Sequence, residues 1–117
     1  MVVLAASSPA VPTAAVAARL AEAAAGQGAR CRMVDAAELT RTGTEPDLGG
    51  RDCDLVLFAC GVPQQDLWAL RVTAVADAAV LVIVAGDDAG DVRRTLAFYD
   101  SAAQRPQACI ALPRSAT

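Results

Sequence analysis

The chain has 117 residues, which is one domain's worth and enough to bury a core without disulfide or metal support. Its formal net charge is −3 and its ten cations, all Arg, are scattered, so it carries no electrostatic footprint for nucleic acid or an anionic membrane. It contains no Lys, His or Asn, which excludes Ser-His-Asp and Cys-His nucleophiles, imidazole metal sites, Schiff-base chemistry and a phosphate-gripping lysine.

In chain order, Val2 to Ala6 reads as a strand buried on both faces, bounded by Ser7, Ser8 and Pro9. Thr13 is suited to cap a helix running to about Ala25, with Val16, Leu20, Ala17, Ala21 and Ala24 on one face and stop signals at Gly26 and Gly28. Arg30 to Val34 reads as a second strand ending at Asp35. Ala36 to Asp52, rich in Gly, Thr, Pro and charge, reads as a loop with one helical turn at Ala36 to Leu39. Asp54 to Cys60 is a third, wholly apolar strand that needs cover on both faces. Gln65 to about Ala76 follows as a helix with Leu67, Leu70 and Trp68 toward the sheet. Ala79 to Ala85 is the fourth strand. Asp91 to Ala103 is a helix with Val92, Leu96 and Tyr99 on one face and Phe98 off it, and Gln107 to Leu112 closes the sheet.

Alternating elements with apolar strands imply right-handed crossovers and a three-layer α/β sandwich on a mostly parallel sheet of about five strands, as a single domain over 1–117. Hydrophobic residues make up 55% of the chain and aromatics 3%, so Val, Leu and Ile must fill a core between Ala-faced helices. Cys31, Cys53, Cys60 and Cys109 form no Cys-x-x-Cys pair and read as reduced, mostly buried thiols. No apolar run reaches the roughly 18–20 residues of a membrane span, and no leader precedes the first strand, so the expected compartment is the cytoplasm. The strand that opens at Val2 without a lead-in fits either a domain excised from a larger protein or a minimal one.

In such folds ligands sit beyond the carboxyl ends of the strands, which directs attention to Ser7 to Thr13, Asp35 to Glu38, Cys60 to Gln64 and Gly86 to Gly90. An isolated Asp35 reads first as a helix cap. Gln64-Gln65-Asp66 reads as a helix entry, and Asp87-Asp88-Ala89-Gly90-Asp91 as a helix start and not a cation site.

The order of segments resembles the bacterial tyrosine kinase domain of capsule and exopolysaccharide machinery, and more broadly the MinD/ParA group of P-loop ATPases. Val16-Ala17-Ala18-Arg19-Leu20-Ala21 is similar to the family's Val-Ala-x-x-Leu-Ala helix, and Val34-Asp35-Ala36-Ala37 resembles its Val-Asp-Ala-Asp strand end. Asp54-Leu55-Val56-Leu57-Phe58-Ala59 resembles the strand reading Asp-Leu-Val-Ile-Ile-Asp, and Ala76 to Gly86 resembles the later Ala-Asp-x-x-Leu-Leu-Val-Val strand. The resemblance implies a strand order 2-3-1-4-5 and a nucleotide loop at Ser7, Ser8, Pro9, Ala10, Val11, Pro12, Thr13 and Ala14. Each chemical position of that loop departs from the family. Glycines become Ala10 and Pro12, the lysine becomes Thr13, the magnesium-binding hydroxyl becomes Ala14, and the acidic positions become Ala37 and Ala59, leaving Asp35 alone. Pro12 lacks an N–H and restricts Val11, so the loop is not expected to cradle phosphate.

The resemblance therefore implies a degenerate pseudo-ATPase or pseudokinase with no catalytic residue, cofactor or metal. It would act as a scaffold or regulatory partner in polysaccharide chain-length control or export, at the inner face of the membrane through a partner or fused segment. A membrane-embedded chain-length regulator or a second copy would be that partner. Two alternatives stand beside it. A flavodoxin-like NADPH-dependent FMN reductase or FMN-binding domain would use Ser7, Ser8 and Thr13 on the flavin phosphate and would have strand order 2-1-3-4-5. A structural oligomerisation module would use an apolar face around Trp68 or around Leu96, Phe98 and Tyr99.

Overall fold

A computed structural model describes residues 1–43, 53–86 and 89–113. The elements run β1 (Val2–Ala6), α1 (Thr13–Gly26), β2 (Cys31–Asp35), α2 (Ala36–Thr42), β3 (Leu55–Ala59), α3 (Leu67–Thr73), β4 (Ala78–Val84), α4 (Ala89–Ser101) and β5 (Ala108–Leu112). All the sheet pairings are parallel, and the strand order is β2-β3-β1-β4-β5. The domain is thus the expected three-layer sandwich. Because β3 lies between β2 and β1, the flavodoxin-like order 2-1-3-4-5 is overturned, and with it the fold on which the FMN alternative depends.

The two faces of the sheet are built differently. Leu4 and Ala6 of β1, Leu57 and Ala59 of β3 and Val82 of β4 pack with Val16 and Ala17 of α1. On the opposite face Val3 and Phe58 pack with Ala36 of α2 and with Ala69 and Val72 of α3. Side chains alternate along each strand, so a central strand flanked by both layers must be apolar at every position. This is why β1 and β3 read as unbroken Val, Leu, Ala and Phe. The alternation also places α1 opposite α2 and α3, the arrangement required when a right-handed crossover leaves β1 toward β2 and the later ones run the other way. The segment after α4 reaches α3, with Gln104 Nε2 donating to the Leu70 carbonyl at 3.4 Å.

Several boundaries differ from those expected. α2 runs a full seven residues because Asp35 caps it, accepting from the Ala37 N–H at 3.0 Å, and Gly43 ends it in the left-handed conformation at φ 69°. α3 is shorter than expected, beginning only after Asp66 and ending at Thr73. Thr13 is not the cap of α1. Pro12 holds that place and Thr13 is the first helical residue, its side chain committed elsewhere. Leu20 and Leu96, expected on inward faces, are exposed, whereas Tyr99 is fully buried and Phe98 half-buried. Among the cysteines Cys60 alone is buried. Cys31 and Cys53 are half-buried and Cys109 is exposed on the edge strand β5, so the expectation of mostly buried thiols is corrected while all four are free. The expected loop over 44–52, the Asp87-Asp88 helix start and the inward placing of the Leu67 side chain lie outside the described residues. No helix among the described residues is long and apolar enough to cross a membrane.

Candidate functional site

The β1–α1 loop is the position at which a phosphate would meet a helix amino terminus, and here it is folded in on itself. The Ser7 N–H donates to the Val82 carbonyl at 3.2 Å, tying the loop's start to β4. The Val11 N–H donates to the Ser8 carbonyl and the Thr13 N–H to the Val11 carbonyl, both at 3.1 Å. Ser7, Ser8 and Thr13 are buried, Pro9, Ala10 and Pro12 are exposed, and Ala14 is half-buried against the α1 core. Val11 is 6% exposed and belongs to that core, packed with Leu4, Val16 and Val62. The Val11 and Thr13 N–H groups are thus taken up by two tight turns, and the apolar Val11 side chain anchors the loop to the core.

Thr13 makes the most informative contact of the loop. Its Oγ1 donates to the Cys60 carbonyl at 2.7 Å in a buried bond that links the first turn of α1 to the end of β3. Replacing Thr13 by Val keeps the shape and leaves that carbonyl unpaired, a loss expected to cost about 1–3 kcal/mol. Urea unfolding of Thr13→Val, followed by circular dichroism, reads this out directly. A change of only a few tenths would mean that the carbonyl finds another donor.

Asp35 and Ala59 are register partners on β2 and β3, and Ala59 pairs with Leu4 on β1, so the loop, Ala59 and Asp35 share the carboxyl edge of three adjacent strands. Ala59 is buried in the α1 core and offers no polar atom there. Asp35 is engaged in capping α2. Cys60 follows at the strand end, fully buried, and burial pushes its thiol up strongly, with the Asp66 and Asp35 carboxylates adding to the shift. A thiol held protonated in this way is a packing group and a poor nucleophile.

No protein-family model, curated protein or solved structure matches the chain.

What the sequence did not single out is a crevice of about 690 Å³ beyond the carboxyl end of β3, walled by α2 on one side and α3 on the other. Leu39, Val62 and Trp68 give it apolar walls, and Gln65, Asp66 and Arg71 its polar ones. The Asp66 carboxylate is fully engaged in local architecture, accepting from the Gly61 N–H at 2.9 Å and from the Trp68 N–H at 3.0 Å. Although the expected helix began at Gln65 and the structure makes Asp66 the cap, a helix entry was legible in Gln64-Gln65-Asp66. The crevice was not, because it depends on α2 and α3 standing side by side on one face of the sheet.

Proposed function

We propose that the protein is a non-catalytic relative of the MinD/ParA-type ATPases and bacterial tyrosine kinase domains, working as a scaffold or regulatory module that binds another protein. The observation that carries this reading is the state of the β1–α1 loop. Val11 is driven into the core, Pro12 sits at the N-cap, and the Thr13 hydroxyl is committed to Cys60. A working phosphate loop needs free N–H groups and a lysine, and the chain has no lysine anywhere. The strand order 2-3-1-4-5 supports the same lineage at the level of fold.

In this reading the partner is a membrane-embedded regulator of polysaccharide chain length or a second copy of the chain, and the module works in the cytoplasm at the inner face of the membrane. Those assignments rest on the resemblance of Val16 to Ala21 and Asp54 to Ala59 to the family's segments. The thermal midpoint in millimolar Mg-ATP decides the central point. A ligand at about 100 times its Kd adds roughly 2.7 kcal/mol, which for a domain of this size raises the midpoint by about 10 °C. No shift is expected, and a clear one would overturn the reading.

A further inference from the structure

We propose that the crevice between α2 and α3 binds a monoanionic ligand made of an aromatic or apolar body and one carboxylate. The Trp68 ring forms the floor that such a body would lie against. Phe58 backs it from the core at a centroid distance of 6.5 Å, so the indole is held by a residue that is itself fully buried. Leu39 and Val62 extend the apolar lining on either side. A surface of this kind, concave and with a few polar groups converging on it, is the usual form of a small-ligand site.

The charge comes from Arg71, whose guanidinium carbon lies 4.9 Å from the centre of the Trp68 ring. That places the charge beside the indole, where a guanidinium can pair with a carboxylate through two parallel hydrogen bonds. Among the described residues Arg71 has no acidic partner, in contrast to Arg30, Arg41, Arg94 and Arg105, each of which pairs with an Asp or Glu. The Gln65 side chain, on the same wall, makes no hydrogen bond among the described residues and supplies a neutral amide for orientation.

A phosphate dianion fits this lining less well than a carboxylate. Among the described residues Arg71 is the one cation lining the crevice, the Asp66 carboxylate faces the same space, and the N–H groups of Gly61 and Trp68 already donate to Asp66. A second negative charge would meet repulsion from Asp66 and, among the described residues, no second cation. The crevice is thus distinct in chemistry from a nucleotide site, and the inference does not rest on the pseudo-ATPase reading. Free aromatic acids and the carboxyl terminus of a peptide ending in an aromatic residue share the required chemistry.

Trp68 is the only tryptophan of the chain and lines the crevice, so its fluorescence reports on what binds there. Titration of the full chain with N-acetylphenylalanine and with 3-phenylpropionate is expected to give a saturable change in Trp68 emission in the millimolar range. The neutral N-acetylphenylalanine amide is expected to bind about tenfold more weakly or worse, as is the acid to Arg71→Gln, because a charge-assisted pair is lost. Arg93→Gln, on exposed α4, should bind like the unaltered chain. Binding of both acids points to a peptide terminus, and binding of 3-phenylpropionate alone to a free acid, either of which supports the site. The proposal is overturned if neither acid gives a saturable response, if the amide or Arg71→Gln binds as well as the acid and the unaltered chain, or if inorganic phosphate alone binds as tightly. The amide comparison uses the unaltered chain and so holds even if Arg71→Gln is impaired in folding.

Discussion

Raising the pH from 9 toward 12 is expected to unfold the protein along a curve that steepens near pH 10. Two buried acids set this. Burial pushes the Cys60 thiol up, the Asp66 and Asp35 carboxylates reinforce the shift, and its ordinary value is 9.0. Burial, with Cys60 adding to it, holds the Tyr99 hydroxyl up to about 12 from an ordinary 10.0. Both are neutral acids in the folded chain, so above the ordinary value the unfolded chain has released a proton that the folded chain still holds. Stability from each group is complete below its unfolded pKa and falls as pH rises toward the folded one, by about 1.4 kcal/mol per pH unit. Cys60 acts from pH 9 and Tyr99 joins from pH 10, so the loss by pH 11 is about 4 kcal/mol, against a total stability of about 5–15 kcal/mol for a domain. The half-buried Cys31, raised by burial and by Cys53, adds in the same direction. Thermal melts at pH 8, 10 and 11 check this. A midpoint that stays flat over that range would contradict the burial of both groups.

Tyr99→Phe separates the contributions. The Tyr99 hydroxyl lies beside Thr73, whose own hydroxyl donates to the Ala69 carbonyl, and it completes no hydrogen bond among the described residues. Removing it gives up little at neutral pH and should abolish the steeper limb above pH 10 while leaving the shallower Cys60 limb in place.

The fold was largely legible because β1, β3 and β4 are apolar at successive positions and each is followed by a helix of the right length. That pattern is produced by a parallel sheet covered on both faces. Strand order was not contained in the periodicity. It came from the likeness of Asp54 to Ala59 to one family's third strand. Helix faces were read less well. Leu96 and Tyr99 fall on one face by spacing, yet Tyr99 is buried and Leu96 exposed, because α4 lies against the outer part of the sheet and only a narrow strip of it is covered. Spacing identifies a stripe but not how wide a neighbour will cover. The loop 7–14 was legible in what it lacks, since Pro12 and the missing lysine are visible in the sequence. The inward turn of Val11 and the Thr13–Cys60 bond were not, because both depend on where β3 ends relative to α1.

Phe58→Ala is expected to be the most damaging single core substitution on the α2–α3 face, costing about 3–5 kcal/mol, of the order of 15 °C in the thermal midpoint. Phe58 is fully buried at the centre of the sheet, on the strand between β2 and β1, and it touches both helical neighbours through Ala36, Ala69 and Val72. Those three are small or short and cannot fill the space the ring leaves, so a cavity term adds to the lost transfer energy, reduced only as far as the neighbouring Trp68 ring shifts inward. Phe58→Leu keeps most of the volume and should cost about 1.5 kcal/mol or less. The exposed Leu96→Ala should stay within about 0.5 kcal/mol. Denaturant unfolding ranks the three, and a Phe58→Ala loss no larger than that of Leu96→Ala would contradict the packing. The same substitution removes the support of the indole, so the emission of Trp68 should shift to the red in the folded variant at low temperature. That links the core to the crevice: the α2–α3 wall is rigid because a ring from the middle of the sheet holds its aromatic floor in place.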